Sequence, residues 1–283
     1  MVKKALLIGI NYYNTDNRLN GCIEDIKNMR NALVDAYNYP VGNIVMLRDD
    51  DPASVDLLPT RSNILAQLSL LVTQSARLEE IWVHYSGHGS YVQDKNGDEF
   101  SGRDSTIVPC DFVKSGFIVD DELLTLLKQV SPTCRVILLF DSCFSGSVCD
   151  LPWSFEFLMG NTFSRSLVDR VVLTHPNMYM MSGCKDTQTS ADVYVASNKA
   201  YAGAFTNAFL ECLRACGHNT NILALYKAVC VYLVQQKVQQ KPLFSSSNIM
   251  PFTAMLSKSS SASSSSSITS STSAPVKKMF MLM

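Results

Sequence analysis

The sequence predicts an α/β fold with a mostly parallel central sheet of about six strands and helices on both faces. Short apolar runs alternate with longer segments whose apolar residues recur at helical spacing, which is typical of parallel strands joined by crossover helices. Of the 283 residues, 47% are hydrophobic, enough for one substantial core. We therefore expect one domain over residues 1–256, followed by a tail over residues 257–283.

The first half of the domain contains three predicted strands, each a continuous apolar run, and two predicted helices. Apolar residues three or four positions apart distinguish the helices from the strands. Thr60 is a favoured N-cap residue, so the second helix should begin directly after it and carry Ile64 and Val72 on its apolar face. The strands are expected at Ala5–Ile10, Ile44–Leu47 and Ile81–Tyr85, and the first helix at Asn20–Tyr37.

The second half continues the alternation less regularly. Asp120, Asp121 and Glu122 fall in the first turn of a predicted helix, where the helix dipole favours negative charge. Residues 150–176 match neither the strand nor the helix pattern, so we expect a long loop, which is usually functional or disordered. The elements of this half are helices at Asp120–Val130, 201–215 and 221–237, and strands at Val136–Phe140, Met178–Ser182 and, more weakly, Pro251–Met255.

The tail differs in composition from the domain. From Ser257 to Ser273 it consists almost entirely of Ser, Thr and Ala, which cannot bury a core, so we expect a disordered linker. The apolar end Met279–Met283 is far too short to cross a membrane. It is either an inert end or a docking peptide.

Composition and charge exclude several function classes. Three of the 24 Lys and Arg residues lie in the tail, which leaves 21 against 25 acidic residues in the domain. Such a domain lacks the basic surface of a nucleic-acid-binding protein. The nine cysteines show no framework spacing, which is typical of reduced thiols inside the cell. No apolar stretch is long enough for a membrane span, and no apolar stripe requires a second copy, so we expect a monomeric cytoplasmic protein.

Two short segments carry the residues that indicate chemistry. His88 follows one predicted strand and Cys143 follows another, and the carboxyl ends of parallel strands meet at one edge of a sheet. A cysteine needs a nearby imidazole that takes its proton and later delivers it to the leaving amine. His88 and Cys143 are therefore predicted to form the catalytic dyad of a cysteine peptidase, with the backbone amides of Gly89 and Cys143 as oxyanion donors.

These segments resemble the catalytic motifs of metacaspases, the caspase-like cysteine peptidases of plants, fungi and protists. The resemblance rests on Tyr85-Ser86-Gly87-His88-Gly89 and Asp141-Ser142-Cys143, and it extends from about residue 4 to residue 256. It implies a caspase-like sandwich and an endopeptidase that cleaves protein or peptide substrates after Arg or Lys. It also implies a need for Ca²⁺ in many members. The chain is similar to a type I catalytic domain without a prodomain.

A pocket for Arg or Lys needs carboxylates, because a guanidinium pairs with a carboxylate through two hydrogen bonds. Ser86 and Asp141 each lie two residues before a predicted catalytic residue, and residues two apart on a strand share a face. The segment Gly21–Asp25 is similar to a further family motif, which implies pocket roles for Cys22 and Asp25. From the residues alone, Asp25 is also explained as an acid in the first turn of a helix.

The resemblance also implies a calcium site formed by Asp104, Asp120, Asp121 and Asp150, and calcium prefers oxygen ligands of this kind. Taken alone, Asp120 and Asp121 are also explained as acids that stabilise a helix start. Ser105 stands where relatives often have an acid, which is expected to weaken calcium affinity. Ion binding is expected to order residues 150–176 and complete the cleft.

Two alternatives remain open from the sequence. One is a caspase-like peptidase without calcium dependence, of the paracaspase or bacterial type. The other is a regulatory protein that keeps the caspase fold without proteolysis, although the intact dyad argues against it because a scaffold needs neither residue. Arg165 and Arg170 lie in the expected loop after Cys143 and are candidate sites of self-cleavage.

Overall fold

A computed structural model of the chain describes residues 2–13, 15–95, 102–142, 148–149, 151–158, 162–167, 173–183, 203–249 and 251–258. The strands, in chain order, are β1 (Val2–Gly9), β2 (Ile44–Arg48), β3 (Leu78–Ser86), β4 (Gly89–Gln93), β5 (Arg103–Ile107), β6 (Ile118–Val119), β7 (Arg135–Asp141), β8 (Trp153–Leu158), β9 (Thr162–Leu167), β10 (Met178–Ser182), β11 (Asn219–Asn221), β12 (Leu243–Ser246) and β13 (Met255–Ser257). The helices are α1 (Cys22–Tyr37), α2 (Arg61–Gln74), α3 (Phe112–Ser115), α4 (Asp120–Leu127), α5 (Ala204–Ala215) and α6 (Ile222–Gln235).

Eight of these strands form one central sheet in the order β2-β1-β3-β7-β10-β12-β8-β9. The strands from β2 to β10 pair in parallel, and β12, β8 and β9 add to one side in antiparallel pairs. The parallel strands are continuous apolar runs because both faces of such a sheet are covered. This arrangement confirms the predicted α/β class with a mostly parallel sheet.

Helices cover both faces of the sheet and divide the interior into two hydrophobic cores. Alternate residues of β1 supply both cores, Leu7 on one face and Leu6 on the other, because successive side chains of a strand point in opposite directions. The core that contains Leu7 is closed by α1, α5 and α6. The opposite core is closed by α2 and α4, through residues such as Ile64 and Leu124.

The predicted helices are present, with small shifts at their ends. The Thr60 side chain accepts a hydrogen bond from the Asn63 amide at 3.2 Å, which confirms Thr60 as the N-cap of α2. Helix α1 begins at Cys22 rather than Asn20, and α4 ends at Leu127 rather than Val130. Both differences lie within one turn of a helix end, where sequence periodicity carries little information.

The prediction of a long loop at residues 150–176 was wrong, because this stretch contains β8 and β9. The two strands pair with Phe155 opposite Arg165, and β8 also pairs with β12. The segment Trp153–Phe157 alternates apolar and polar residues, the period of a half-buried strand. That alternation is too short to separate a strand from an irregular segment by pattern alone. The sheet consequently has eight strands rather than about six.

Two further segments differ from the prediction. Pro251–Met255 is not a strand of the main sheet; Pro251–Thr253 forms a 3₁₀ turn, and β13 pairs with β11 outside that sheet. The main sheet instead uses β12, whose four residues include two serines and carry no apolar pattern. After Tyr85 the chain forms β4 and β5, which make a small sheet with β6; the sequence patterns above did not predict these three strands.

The serine-rich tail falls almost entirely outside the described residues, which reach Lys258 in the sequence. Within the described ranges, the helices are all too short or too polar to traverse a bilayer.

Candidate active site

The two segments that carry the predicted dyad leave the sheet side by side. β3 and β7 are adjacent parallel strands, and Ser86 lies opposite Asp141 at their carboxyl ends. Beyond the strands, the Gly87 amide donates to the Asp141 carbonyl oxygen at 3.3 Å, so the pairing continues toward the dyad. Cys143 itself lies outside the described residues. The strand β7 ends at Asp141, two residues before Cys143, so the structure shows where the segment that carries Cys143 leaves the sheet.

His88 is held in one tautomer by its surroundings. Its Nε2 lies 2.6 Å from the Asn17 carbonyl oxygen, which can only accept a hydrogen bond, so Nε2 carries the proton and Nδ1 is the basic nitrogen. Burial lowers the pKa of His88 below its usual value, and the bond to Asn17 opposes that shift only in part. The imidazole is therefore neutral near neutral pH, the form that a general base requires.

Two buried tyrosines, Tyr12 and Tyr85, clamp the backbone of His88. The Tyr12 hydroxyl accepts from the His88 amide at 3.0 Å and donates to the Val108 carbonyl at 2.7 Å. The Tyr85 hydroxyl donates to the His88 carbonyl at 2.6 Å and accepts from the Val108 amide at 3.2 Å. The hydroxyls lie 3.1 Å apart, and the ring centroids of Tyr12 and His88 lie 4.6 Å apart. We call this pair the tyrosine clamp.

The tyrosine clamp explains why residue 87 is a glycine. The sequence patterns described above did not predict this clamp. A Cβ atom at Gly87 would lie 2.7 Å from the Tyr85 hydroxyl and 3.1 Å from that of Tyr12, so only glycine fits. Tyr12 adopts a left-handed backbone with φ of 52°, which is rare for an aromatic residue. Its position directly after β1, at the same sheet edge as His88, is the signal that could have indicated a functional role.

Two buried carboxylates lie beside the dyad segments. Asp25 is 8% exposed and Asp141 3% exposed. Burial and the negative charge of Asp141 raise the pKa of Asp25 to about 8, against a 2.7 Å hydrogen bond donated by Ser86. Burial raises the pKa of Asp141 to about 6, against hydrogen bonds from Thr206, whose amide donates at 2.8 Å. The two acids therefore share a proton in the neutral range.

Cys22 completes the set of predicted pocket residues. It is fully buried at the start of α1, and its amide donates to Asn11 Oδ1 at 3.1 Å. Burial raises the pKa of its thiol, a hydrogen bond with Ser86 lowers it, and the charge of Asp25 raises it further. The thiol is therefore neutral and a poor nucleophile. All four predicted pocket residues lie in one cluster, joined through Ser86, Asp25 and Asp141.

The start of α5 lies against both carboxylates, a neighbour that the sequence did not indicate. Gly203 precedes this helix with φ of 97°, and a Cβ atom there would lie 2.8 Å from Asp25 Oδ1. The amides of Gly203 and Thr206 donate toward Asp141. Partial positive charge at the helix start thus offsets part of the negative charge of the pair.

Three of the four acids expected to bind calcium can be examined. Asp104 and Asp120 are buried and Asp121 is half-buried. Burial raises the pKa of Asp120 to about 8; amide hydrogen bonds from Ser105 and Asp121 oppose the shift, and the charges of Asp104 and Asp121 add to it. Asp150 lies outside the described residues. Within the described ranges, no group of three or more ligand-type side chains is close enough to hold an ion.

The remaining predicted residues occupy separate positions. Gly89, the expected oxyanion donor after His88, is the first residue of β4. Arg165 does not lie in a loop: it is an exposed residue of β9, and its guanidinium lies 5.6 Å from the Trp153 ring and 3.4 Å from the Ile249 carbonyl. Arg170 lies outside the described residues.

Comparison with known proteins identifies the family. A family model described as metacaspase, peptidase C14 domain, matches residues 3–152, more than half of the chain, and spans both dyad segments. The chain belongs to the metacaspase family. Metacaspases are cysteine peptidases, so the predicted family and enzyme class are confirmed.

Relatives among fungal metacaspases match most of the chain. Metacaspase-1 of Meyerozyma guilliermondii is 32% identical over 290 residues, which cover 87% of this chain and 70% of the relative. Metacaspase-1 of Kluyveromyces lactis is 35% identical over 293 residues, which cover 87% of this chain and 66% of the relative. This metacaspase chain thus spans about two thirds of the length of these relatives.

Solved structures support the fold. A crystal structure of a protein from Geobacter sulfurreducens has a TM-score of 0.59 at 20% identity and covers 91% of this chain and 97% of its own. Caspase-1 from Spodoptera frugiperda has a TM-score of 0.52 at 12% identity, with 90% and 88% covered. These likenesses confirm the predicted caspase-like fold of the metacaspase.

Replacement of Tyr12 by Phe tests the tyrosine clamp. Tyr12→Phe removes the hydrogen bond from the part-buried His88 amide and the 2.7 Å bond to the Val108 carbonyl, which keeps the Tyr85 hydroxyl at 3.3 Å. We expect the free energy of unfolding to fall by about 1–3 kcal/mol and peptide hydrolysis to slow by roughly tenfold, because His88 loses its fixed position. Denaturant unfolding and steady-state kinetics measure both effects. Tyr13→Phe, at the exposed neighbour, is the matched control. Equal losses in the two variants would contradict the role of the clamp.

Proposed function

We propose that this metacaspase is a calcium-stimulated endopeptidase that cleaves protein or peptide substrates after Arg or Lys. The observation that carries the proposal is the buried carboxylate pair, Asp25 and Asp141, beside the end of β7 that leads to Cys143. Two buried acids side by side are costly to ionise, and a positively charged group that enters between them would offset that cost. The basic side chain of a substrate supplies that charge.

The dyad performs the chemistry in this proposal. Nδ1 of His88 takes the proton of the Cys143 thiol. The sulfur then attacks the carbonyl carbon of the basic residue and forms a tetrahedral oxyanion. The amides of Gly89 and Cys143 stabilise that oxyanion. The protonated imidazole then gives its proton to the leaving amine, and water hydrolyses the acyl-enzyme. The bond from Nε2 to Asn17 supports this assignment because it keeps Nδ1 available throughout.

The pocket acts by charge and geometry. A guanidinium or ammonium group would contact Asp141 and Asp25, while Ser86 donates to Asp25 and keeps one carboxylate oxygen oriented. Cys22 contacts Ser86 as a neutral thiol, which leaves the charge balance to the two acids. An acidic substrate side chain would meet like charge in a desolvated site, so caspase-type cleavage after Asp is disfavoured.

Calcium is the proposed activator. The buried carboxylates of Asp104 and Asp120, with Asp121 beside them, supply the oxygen ligands that a hard cation prefers. A bound cation would offset both the burial and the repulsion by Asp104 and Asp121 that raise the pKa of Asp120. Asp150 would be the fourth carboxylate. In this proposal the ion would draw Asp150 toward the described acids, which among themselves form no group of three that could hold it.

We also propose a cellular location, an oligomeric state and a site of self-cleavage. Buried thiols such as Cys134 and Cys212 are reduced, which supports a cytoplasmic location. We also propose a monomer, because no apolar stripe in the sequence requires a second copy. Self-cleavage is proposed after Arg170; at Arg165 it would require β9 to leave the sheet.

Peptide hydrolysis tests the specificity. A fluorogenic peptide with Arg before the cleaved bond should be hydrolysed by the wild type at least a hundredfold faster than its Asp counterpart, since the pocket charge is negative. Cys143→Ala should abolish hydrolysis, and Asp141→Asn should lower kcat/KM for the Arg peptide by roughly a hundredfold. Asp35→Asn, an exposed acid on α1, is the control. Preference for the Asp peptide would contradict the pocket assignment.

The pH dependence of KM tests the shared proton. The pKa values of Asp141, about 6, and Asp25, about 8, mean that the pair loses a proton as pH rises between these values. A bound cation favours the ionised pair, so KM for the Arg peptide should fall as pH rises through that range. Kinetics from about pH 5.5 to 8.5 measure the effect. A KM that stays constant over the range would contradict the paired titration.

Thermal unfolding tests calcium binding independently of activity. Calcium at about a hundred times its dissociation constant should stabilise the wild type by about 2.7 kcal/mol, seen as a higher melting temperature. Asp121→Asn should remove most of that increase and most of the stimulation by calcium. Asp56→Asn, an exposed acid far from the site in sequence, should retain both. A wild type that responds to calcium in neither assay would favour the calcium-independent type of caspase-like peptidase.

A further inference from the structure

Thr206, in the first turn of α5, connects the pocket to a buried histidine. Its side chain is 1% exposed. Its amide donates to Asp141 Oδ2 at 2.8 Å, and its hydroxyl also hydrogen-bonds the Asp141 carboxylate. On its other side the hydroxyl oxygen lies 3.2 Å from Nε2 of His84, a fully buried residue of β3.

The direction of these hydrogen bonds follows from which of the atoms carry a proton. A threonine hydroxyl has one proton, and a carboxylate can only accept, so the Thr206 proton goes to Asp141. The hydroxyl oxygen must then accept from His84, which places the ring proton on Nε2. Burial lowers the pKa of His84 to about 3, so the ring is neutral and carries no second proton.

The surroundings of Nδ1 agree with this tautomer. Among the described residues, Nδ1 of His84 has no hydrogen-bond partner. A buried N–H there would lose its full hydration, whereas a bare ring nitrogen loses less. The favoured arrangement is therefore a one-way chain, from His84 Nε2–H to the Thr206 oxygen and from the Thr206 hydroxyl to Asp141.

We propose that Thr206, oriented by His84, is a positioning residue that holds the Asp141 carboxylate ionised and aimed at the basic side chain of the substrate. The inference deepens the proposed function and rests on it. Neither residue touches the substrate; both act through Asp141. The amide of Thr206 alone would hold one carboxylate oxygen, and the hydroxyl adds a second, directed donor to the same group.

The other groups that face Asp141 differ in their effect on its ionisation. Within the described residues, α1 presents Asp25, whose charge disfavours ionisation of Asp141, and the neutral thiol of Cys22. From α5 come the amides of Gly203 and Thr206 and the Thr206 hydroxyl. The uncharged His84 lies one hydrogen bond away. Within the described residues, the hydroxyl is therefore a side-chain donor that offsets part of the cost of burying the Asp141 charge.

The decisive comparison is between Thr206→Val, which keeps the shape and the amide but loses the hydroxyl, and Thr206→Ser, which keeps the hydroxyl. Thr206→Val should raise KM for the Arg peptide by roughly tenfold with kcat within about twofold. It should also move the fall of KM to higher pH, because the ionised carboxylate loses a donor. Thr206→Ser should restore both toward the wild type. Thr73→Val, an exposed threonine at the end of α2, is the control.

Two measurements separate this role from general damage and from the proposed function. The rate at which iodoacetamide alkylates Cys143, followed by peptide mass spectrometry, should be unchanged in Thr206→Val, since alkylation needs the dyad and not the pocket. A carbon-13 NMR titration of Asp141 should give a higher pKa in Thr206→Val than the value of about 6 in the wild type.

Each outcome of these measurements either supports or contradicts the role of Thr206. An unchanged KM and an unchanged Asp141 titration in Thr206→Val would overturn the inference, as would slower alkylation of Cys143 with unaltered KM. If the wild type fails to hydrolyse Arg and Lys peptides while the titration still shifts, the proposed specificity fails and the effect of Thr206 on Asp141 stands. Loss of folding in Thr206→Val, detected by its melting temperature, transfers the same measurements to His84→Phe, which frees the hydroxyl to rotate away from Asp141.

Discussion

The parallel register between β3 and β7 determines where every active-site residue lies. Ser86 opposite Asp141 brings the two motif segments out of the sheet together, and the amide of Gly87 extends the pairing by one hydrogen bond. A slip of one residue would turn Ser86 to the other face of the sheet, away from Asp25. The apolar residues of β3 and β7, buried on both faces, make such a slip costly. The core therefore specifies the chemistry as well as the fold.

The site gives up stability in order to hold charge in the interior. Asp25, Asp120 and Asp141 are all buried, and each has a raised pKa because burial disfavours its ionised form. Backbone amides, the start of α5 and the Ser86 hydroxyl offset only part of that cost. In the proposed function, a bound ion or a cationic substrate side chain would offset more of it. Acids with raised pKa values are common where a protein binds such groups.

Sequence patterns were sufficient where local chemistry decides the structure. Apolar runs predicted the parallel strands, Thr60 predicted a helix start, and the motifs around His88 and Asp141 predicted residues that lie in one buried cluster. The tyrosine clamp and Thr206 were not predictable in this way. Tyr12 reaches Val108 across 96 positions and Thr206 reaches Asp141 across 65, and no local pattern encodes such contacts. β12 and β8 were missed because short strands with polar residues resemble loops until their partners are known.

The order of strands in the sheet has a consequence for a broken chain. β7 and β8 come before residue 168 and β10 and β12 after it, yet the order across the sheet is β7-β10-β12-β8. A cut between β9 and β10 would leave two fragments whose strands interleave. The later fragment would still be hydrogen-bonded to the earlier one along both of its flanks. Severing the backbone there would therefore alter covalent connectivity while the two polypeptides remain locked in a single folded body.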